Sequence, residues 1–191
     1  YIQHAHLDQQ KVLAWARGAS TEKERVRERR EETRSETQDI HQKMEFHRVE
    51  KGDFLMGEGS NKAKVTLTHA FEAMSTAVTQ KMWTDKMGDN PSKFQDGEHT
   101  ILVSKNGKSI KMQPDNPVEN ITWWSAVVFA NQVSTAMNFT PAYDLSQITD
   151  WEGSAESGTL KPRDEGRAKA LLKINSPNDN IYEAQGYRLP T

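Results

Sequence analysis

The spacing of apolar residues changes several times along the chain, and each change marks an expected element. Val65, Leu67 and His69 alternate with Thr66 and Thr68, the period of two that a half-buried strand requires. Upstream, Phe46 and Val49 begin a strand, Lys51 and Gly52 turn it, and Phe54 to Met56 form a second strand closed by Gly57. Phe71, Ala73 and Ser75 extend the sheet. The period then lengthens. Thr79 reads as the N-cap of a helix that Gly88 stops, with Trp83 and Met87 four apart on one face. Asp89, Asn90 and Pro91 turn the chain sharply and are expected to return Phe94 to the same core.

Residues 100–103 and 109–112 flank Lys105-Asn106-Gly107-Lys108. Asn-Gly is the favoured pair for a type I′ turn, because both central residues need positive φ. A protruding hairpin is predicted, its lysines serving solubility. A second helix follows, capped by Thr122 and ended by a left-handed Asn138. Trp123, Ala126, Val127, Ala130, Val133 and Met137 share one face, and Val128 with Phe129 makes its first half apolar nearly all round. Such a helix is buried, so it is read as the central support, with Trp123 and Trp124 in the core rather than forming a stacking platform.

The rest of the chain is less regular. Pro141 fixes an extended run over 139–145. Residues 146–180 are rich in Ser, Gly, Asp, Asn and Glu, with one apolar segment at 168–174, and read as a surface insertion. Its carboxylates Asp144, Asp150, Glu152, Asp164 and Glu165 match no calcium-loop spacing and are taken as solvated. Asn120-Ile121-Thr122 and Asn138-Phe139-Thr140 fit the glycosylation acceptor pattern, but both fall at helix ends, where capping explains them. Tyr187 to Leu189 reads as a strand and Thr191 as the N-cap of a further helix.

Composition separates the first 43 residues from the remainder. Leu7 to Trp15 reads as a short helix capped by Asp8 and ended by Gly18. His4 and His6 alternate but lack further ligands at metal spacing, and His69 is a lone strand-end histidine with a satisfied ring. From Thr21 to Lys43 charges of both signs interleave, and Val26 and Ile40 are too sparse for a heptad seam. This is a charged helical spacer. The whole chain is 35% hydrophobic and 27% charged, with mean hydropathy -0.85, as expected if part of it lies outside any core. A net charge of -2 argues against nucleic acid as a partner, and no apolar run approaches the roughly 20 residues of a membrane span. The absence of cysteine removes disulfides and thiol chemistry within these residues. Cytoplasm is the expected compartment.

Four stretches taken together, GDFLMG (52–57), AVTQKMWTDKMGDNPSKF (77–94), NPVENITWWSA (116–126) and GYRLPT (186–191), resemble the formylglycine-generating enzyme family, also called the sulfatase-modifying factor domain. The resemblance runs from about Met44 to Thr191. It implies an α+β, C-type-lectin-like fold that is incomplete at its C-terminus. It divides the chain into a spacer, 1–43, and the first part of the domain, 44–191. In catalytic relatives a cysteine pair binds copper to oxidise a substrate cysteine, and calcium is also bound. The resemblance places all those ligands beyond this chain, so catalytic, cofactor-binding and metal residues are each none and the cofactor is open. Residues 87–94 also depart from the sulfatase-activating members. The favoured reading is a binding or regulatory module in a multidomain bacterial-type protein, its partner another protein or the remainder of its own domain. The alternatives are a cysteine-oxidising or non-haem iron oxidase and a lectin-fold interaction protein with a variable surface.

Overall fold

A computed structural model of the chain describes Arg25, Arg27 and residues 44–190. The chain divides into two units, 1–36 and 37–191. The expected helix at 7–15, His4, His6, nearly all of the charged spacer and the Thr191 cap lie outside the described residues.

The strands come as five two-stranded antiparallel pairs among the described residues, not as the single small sheet expected. β1 (Phe46–Val49) pairs with β4 (Phe71–Met74), and β2 (Gly52–Met56) with β3 (Ala63–Leu67). Lys51 and Gly52 therefore do not reverse the chain between β1 and β2, as the sequence suggested. Instead the two pairs run on as one bent ribbon that turns back near Gly59–Asn61. Between Val49↔Phe71 and Gly52↔Leu67, the outgoing strand has two residues and the returning strand three, Thr68, His69 and Ala70. One extra residue on one strand is a bulge, and it bends the ribbon there.

α1 (Gln80–Met87) starts and stops where local chemistry dictates. Thr79 Oγ1 accepts from Met82 N at 3.2 Å, and Gly88, at φ 85°, donates its N–H to Thr84 O. Trp83 and Met87 are buried as expected, at 1% and 6% exposure. Phe94 is not: its ring is 66% exposed. The turn holds the Phe94 backbone, with its O accepting from Gln80 Nε2 and its N donating to Glu119, while the ring points outward.

β5 (Ile101–Lys105) and β6 (Lys108–Met112) form the expected hairpin, with Asn106 and Gly107 at φ 52° and 75°. Its tip rests on the end of α1 instead of protruding. Lys105 Nζ donates to Asp85 O, Lys108 pairs with Asp89 at 3.8 Å, and a side chain at Gly88 would come within 3.1 Å of Asn106 Nδ2. A lysine beside the last carbonyls of a helix is favoured by the helix dipole.

α2 (Trp123–Ala136) is the longest described helix. Thr122 Oγ1 accepts from Ser125 N at 3.1 Å and also donates to Leu160 O, while Asn138 sits at φ 61° just past the helix. α1 packs on α2, with the Trp83 and Phe129 rings stacked at 5.2 Å. Around them Met44, Met82, Met87, Val133 and Ala155 form one core cluster. The other side of α2 buries Val127 with Ala142, Tyr143 and Ala184, and its first turn buries Trp124 with Ile148 and Ala168.

The segment expected to be an irregular insertion is more ordered than its composition suggests. β7 (Tyr143–Asp144) pairs with β10 (Lys173–Ile174), β8 (Trp151–Glu152) pairs with β9 (Lys161–Pro162), and α3 (Glu165–Leu171) is capped by Asp164. Tyr187 to Leu189, expected as a strand, pairs with none of the described strands. Tyr187 N donates to Ser134 Oγ and Leu189 N to the Tyr143 hydroxyl, so side chains of the core take the bonds a neighbouring strand would have taken.

Candidate functional site

The two tryptophans opening α2 have opposite fates. Trp124 is 2% exposed and Trp123 46% exposed, so the expectation that both are core holds for Trp124 alone. A helix advances about 100° per residue. Adjacent side chains therefore point about 100° apart: Trp124 turns into the body together with Ser125, while Trp123 falls at the edge of the buried face. Trp123 is nevertheless fixed in place, edge-on to Trp124 at 4.9 Å and to Tyr143 at 6.0 Å, and Trp124 in turn meets Trp151 at 5.4 Å. Burial pushes the Tyr143 hydroxyl above its ordinary pKa, against the opposing pull of the Leu189 N–H and the Arg188 charge. Tyr143 thus stays a neutral phenol at physiological pH, and Trp123 is an aromatic surface packed on two rings and nearly half exposed.

A second constellation is a closed polar network. Gln80, fully buried at the start of α1, donates to Phe94 O at 2.9 Å and accepts from Asn90 Nδ2 and Gln113 N, each at 3.0 Å. Asn90 Nδ2 also reaches Lys111 O at 2.9 Å, and Asn90 Oδ1 takes the N–H of Ser92. The Asn-Pro turn that the sequence marked is thus a structural knot joining α1, β6 and the 113–119 loop. Its polar groups are satisfied by one another, which suits rigidity rather than chemistry.

The other marked residues are separately engaged. His69 is exposed, with Thr68 Oγ1 2.8 Å from its Nδ1 and its ring stacked on Tyr182 at 5.4 Å. Asp144 caps Ser146 N, Asp164 caps α3, Asp150 and Glu152 pair with Arg163, Glu152 also with Lys161, and Glu165 with Lys169. Asn120 Nδ2 donates to Pro91 O and Thr122 is the α2 cap, so capping accounts for that acceptor pattern in part. Among the described residues no three His, Cys, Asp or Glu side chains are placed to hold a metal ion.

The sequence marked the strands of the ribbon but not their pairing. Phe54, Leu55 and Met56 are 44%, 65% and 59% exposed. The signal was present in the alternation of 65–69, but which strand would pair with it, and what would lie above it, are not written locally. Taken together these features define a mixed α/β domain whose described surface offers aromatic and apolar contact.

Residues 31–188 match the family described as the sulfatase-modifying factor enzyme 1-like domain, and the chain belongs to that family. Among curated relatives, the chaperone protein LppX of Paenibacillus barcinonensis is 32% identical over 144 residues, which cover 75% of this chain and 40% of LppX. Two solved structures are also similar. Treponema denticola variable protein 1 has a TM-score of 0.44 at 24% identity, covering 76% of this chain and 49% of that one; CarF has 0.43 at 26%, covering 78% and 53%. The chain spans less than half the length of the curated relative that it matches. No helix among the described residues is long and apolar enough to cross a membrane.

Proposed function

We propose that this chain is the first part of a formylglycine-generating-enzyme-like domain, lectin-like in fold, that continues beyond residue 191. We read the domain as a binding or regulatory module, tethered by the charged spacer in a multidomain protein. The observation that supports the continuation is Trp123, a large ring packed on Trp124 and Tyr143 and left nearly half exposed beside the last described residues, which touch Tyr143. Burying an aromatic ring of this size is worth about 2–3 kcal/mol. The remainder of the domain would cover such a ring, and the binding role rests on the chaperone name of the LppX relative, which agrees with a polypeptide partner for the longer protein.

Two measurements test the proposal. In a longer polypeptide that continues past residue 191, acrylamide quenching of Trp123 is expected to fall relative to the 191-residue chain, read with Trp123→Phe as the reference. Equal quenching in both would overturn the continuation. The longer protein is also expected to bind a permanently unfolded polypeptide, reduced carboxymethylated α-lactalbumin, by fluorescence anisotropy, without consuming oxygen. Oxygen uptake in step with loss of a cysteine-peptide thiol, in the presence of copper or iron, would favour the oxidase reading instead.

A further inference from the structure

Directly opposed residues of an antiparallel pair share a face. In the distal ribbon, Gly52↔Leu67, Phe54↔Val65 and Met56↔Ala63 therefore lie on one side, and Asp53↔Thr66 and Leu55↔Lys64 on the other. The second face is made for water: Lys64 pairs with Asp53 at 2.7 Å, and Thr66 Oγ1 donates to Asp53 at 2.6 Å. The first carries only apolar side chains and glycine. Yet among the described residues Phe54, Met56, Ala63, Val65 and Leu67 join none of the core clusters, although Phe46 and Met74 at the foot of the same ribbon do. Two strands by themselves are marginally stable in water, and a face so sorted is one that another layer covers.

We infer that the Phe54–Met56–Val65 face is an interior face, and that the polypeptide following residue 191 covers it. This rests on the proposed continuation of the domain. Two observations point to that occupant. More than half of the LppX relative lies outside the match, so such relatives have chain enough to build the missing layer. The C-terminal segment already runs along the ribbon at two points: Tyr182 stacks on His69 at the bend, and Tyr187 packs on Phe46 at the foot, with centroids 5.9 Å apart. Tyr182 stands on a turn whose Ile181 packs into the core beside Val127 and Ala142. The ribbon is thus held against the segment from which the continuation departs.

The test compares adjacent residues on opposite faces. In the longer protein, Phe54→Ser is expected to raise the unfolding constant by more than about tenfold, as loss of a buried aromatic requires, whereas Leu55→Ser changes it by less than about threefold. In the 191-residue chain both changes are expected to be small. If Phe54→Ser prevents accumulation, Val65→Thr against Lys64→Ser poses the same question with milder changes. Equal effects of the two faces in the longer protein would overturn the inference. So would a Phe54→Ser effect that depends on protein concentration, which would make a second copy the cover. If Trp123 becomes protected while Phe54 and Leu55 respond alike, the continuation stands and only the ribbon assignment fails.

Discussion

The α1–α2 pair and the distal ribbon were both marked by the sequence, and they differ in how they meet the rest of the chain. In the helical pair each local signal is met by a tertiary partner. Thr79 and Thr122 cap their helices, Trp83 stacks on Phe129, and the Trp83 Nε1 donates to Glu156 O at 3.2 Å. In the ribbon the signals are equally clear, with strict alternation and a bounding glycine, but its apolar face has no layer above it among the described residues. Local propensity forms both elements; only the helices have their burial supplied within this stretch of chain.

The sharpest way to break the comparison is at the helical pair. Trp83→Ala is expected to cost about 3–5 kcal/mol by urea denaturation, since the ring is 1% exposed. A loss below about 1 kcal/mol would put that helix outside the core.

Next in size is the polar knot. Gln80→Ala leaves Phe94 O and Gln113 N without their partner and removes one from Asn90, an expected loss of about 2–3 kcal/mol. A neutral result in the same assay would mean that water replaces the amide and that the knot does not bind α1 to β6.

A change of opposite sign sharpens the contrast. Thr84 Oγ1 is buried with no hydrogen-bond partner among the described residues. Thr84→Val keeps the shape and removes the orphaned hydroxyl, so a gain of about 1 kcal/mol is expected in thermal unfolding. A loss would imply a partner for that hydroxyl.

The smallest effect belongs to the ribbon. Bonds from Lys64 first and Thr66 second hold the Asp53 carboxyl below its ordinary pKa of 3.8. A depressed folded-state value stabilises above the unfolded pKa and is lost as pH falls through the folded one. Acid below pH 4 is therefore expected to loosen β2–β3 before α1–α2, as amide exchange by NMR would record. In Lys64→Ala the Asp53 titration should move up toward its ordinary value, and an unchanged midpoint would remove this account.

Legibility in the sequence followed the range of the interaction. The α1 and α2 caps, the Asn106-Gly107 turn and the left-handed Asn138 were all readable, because each depends on neighbours within a few residues. Phe94 was misread because the Asp-Asn-Pro turn specifies a backbone path and not the direction of the next ring. Pairing of β1 with β4 and the ordering of 146–180 involve partners too distant for composition to reveal.

What the amino-acid order alone determined is therefore the set of elements and their ends, since capping and turn formation are contests between a side chain and its own backbone. Which of two adjacent tryptophans is buried, where the hairpin tip comes to rest and which ribbon face lies open were decided by tertiary structure. Those outcomes depend on packing between surfaces far apart in sequence, where shape and burial outweigh any local preference.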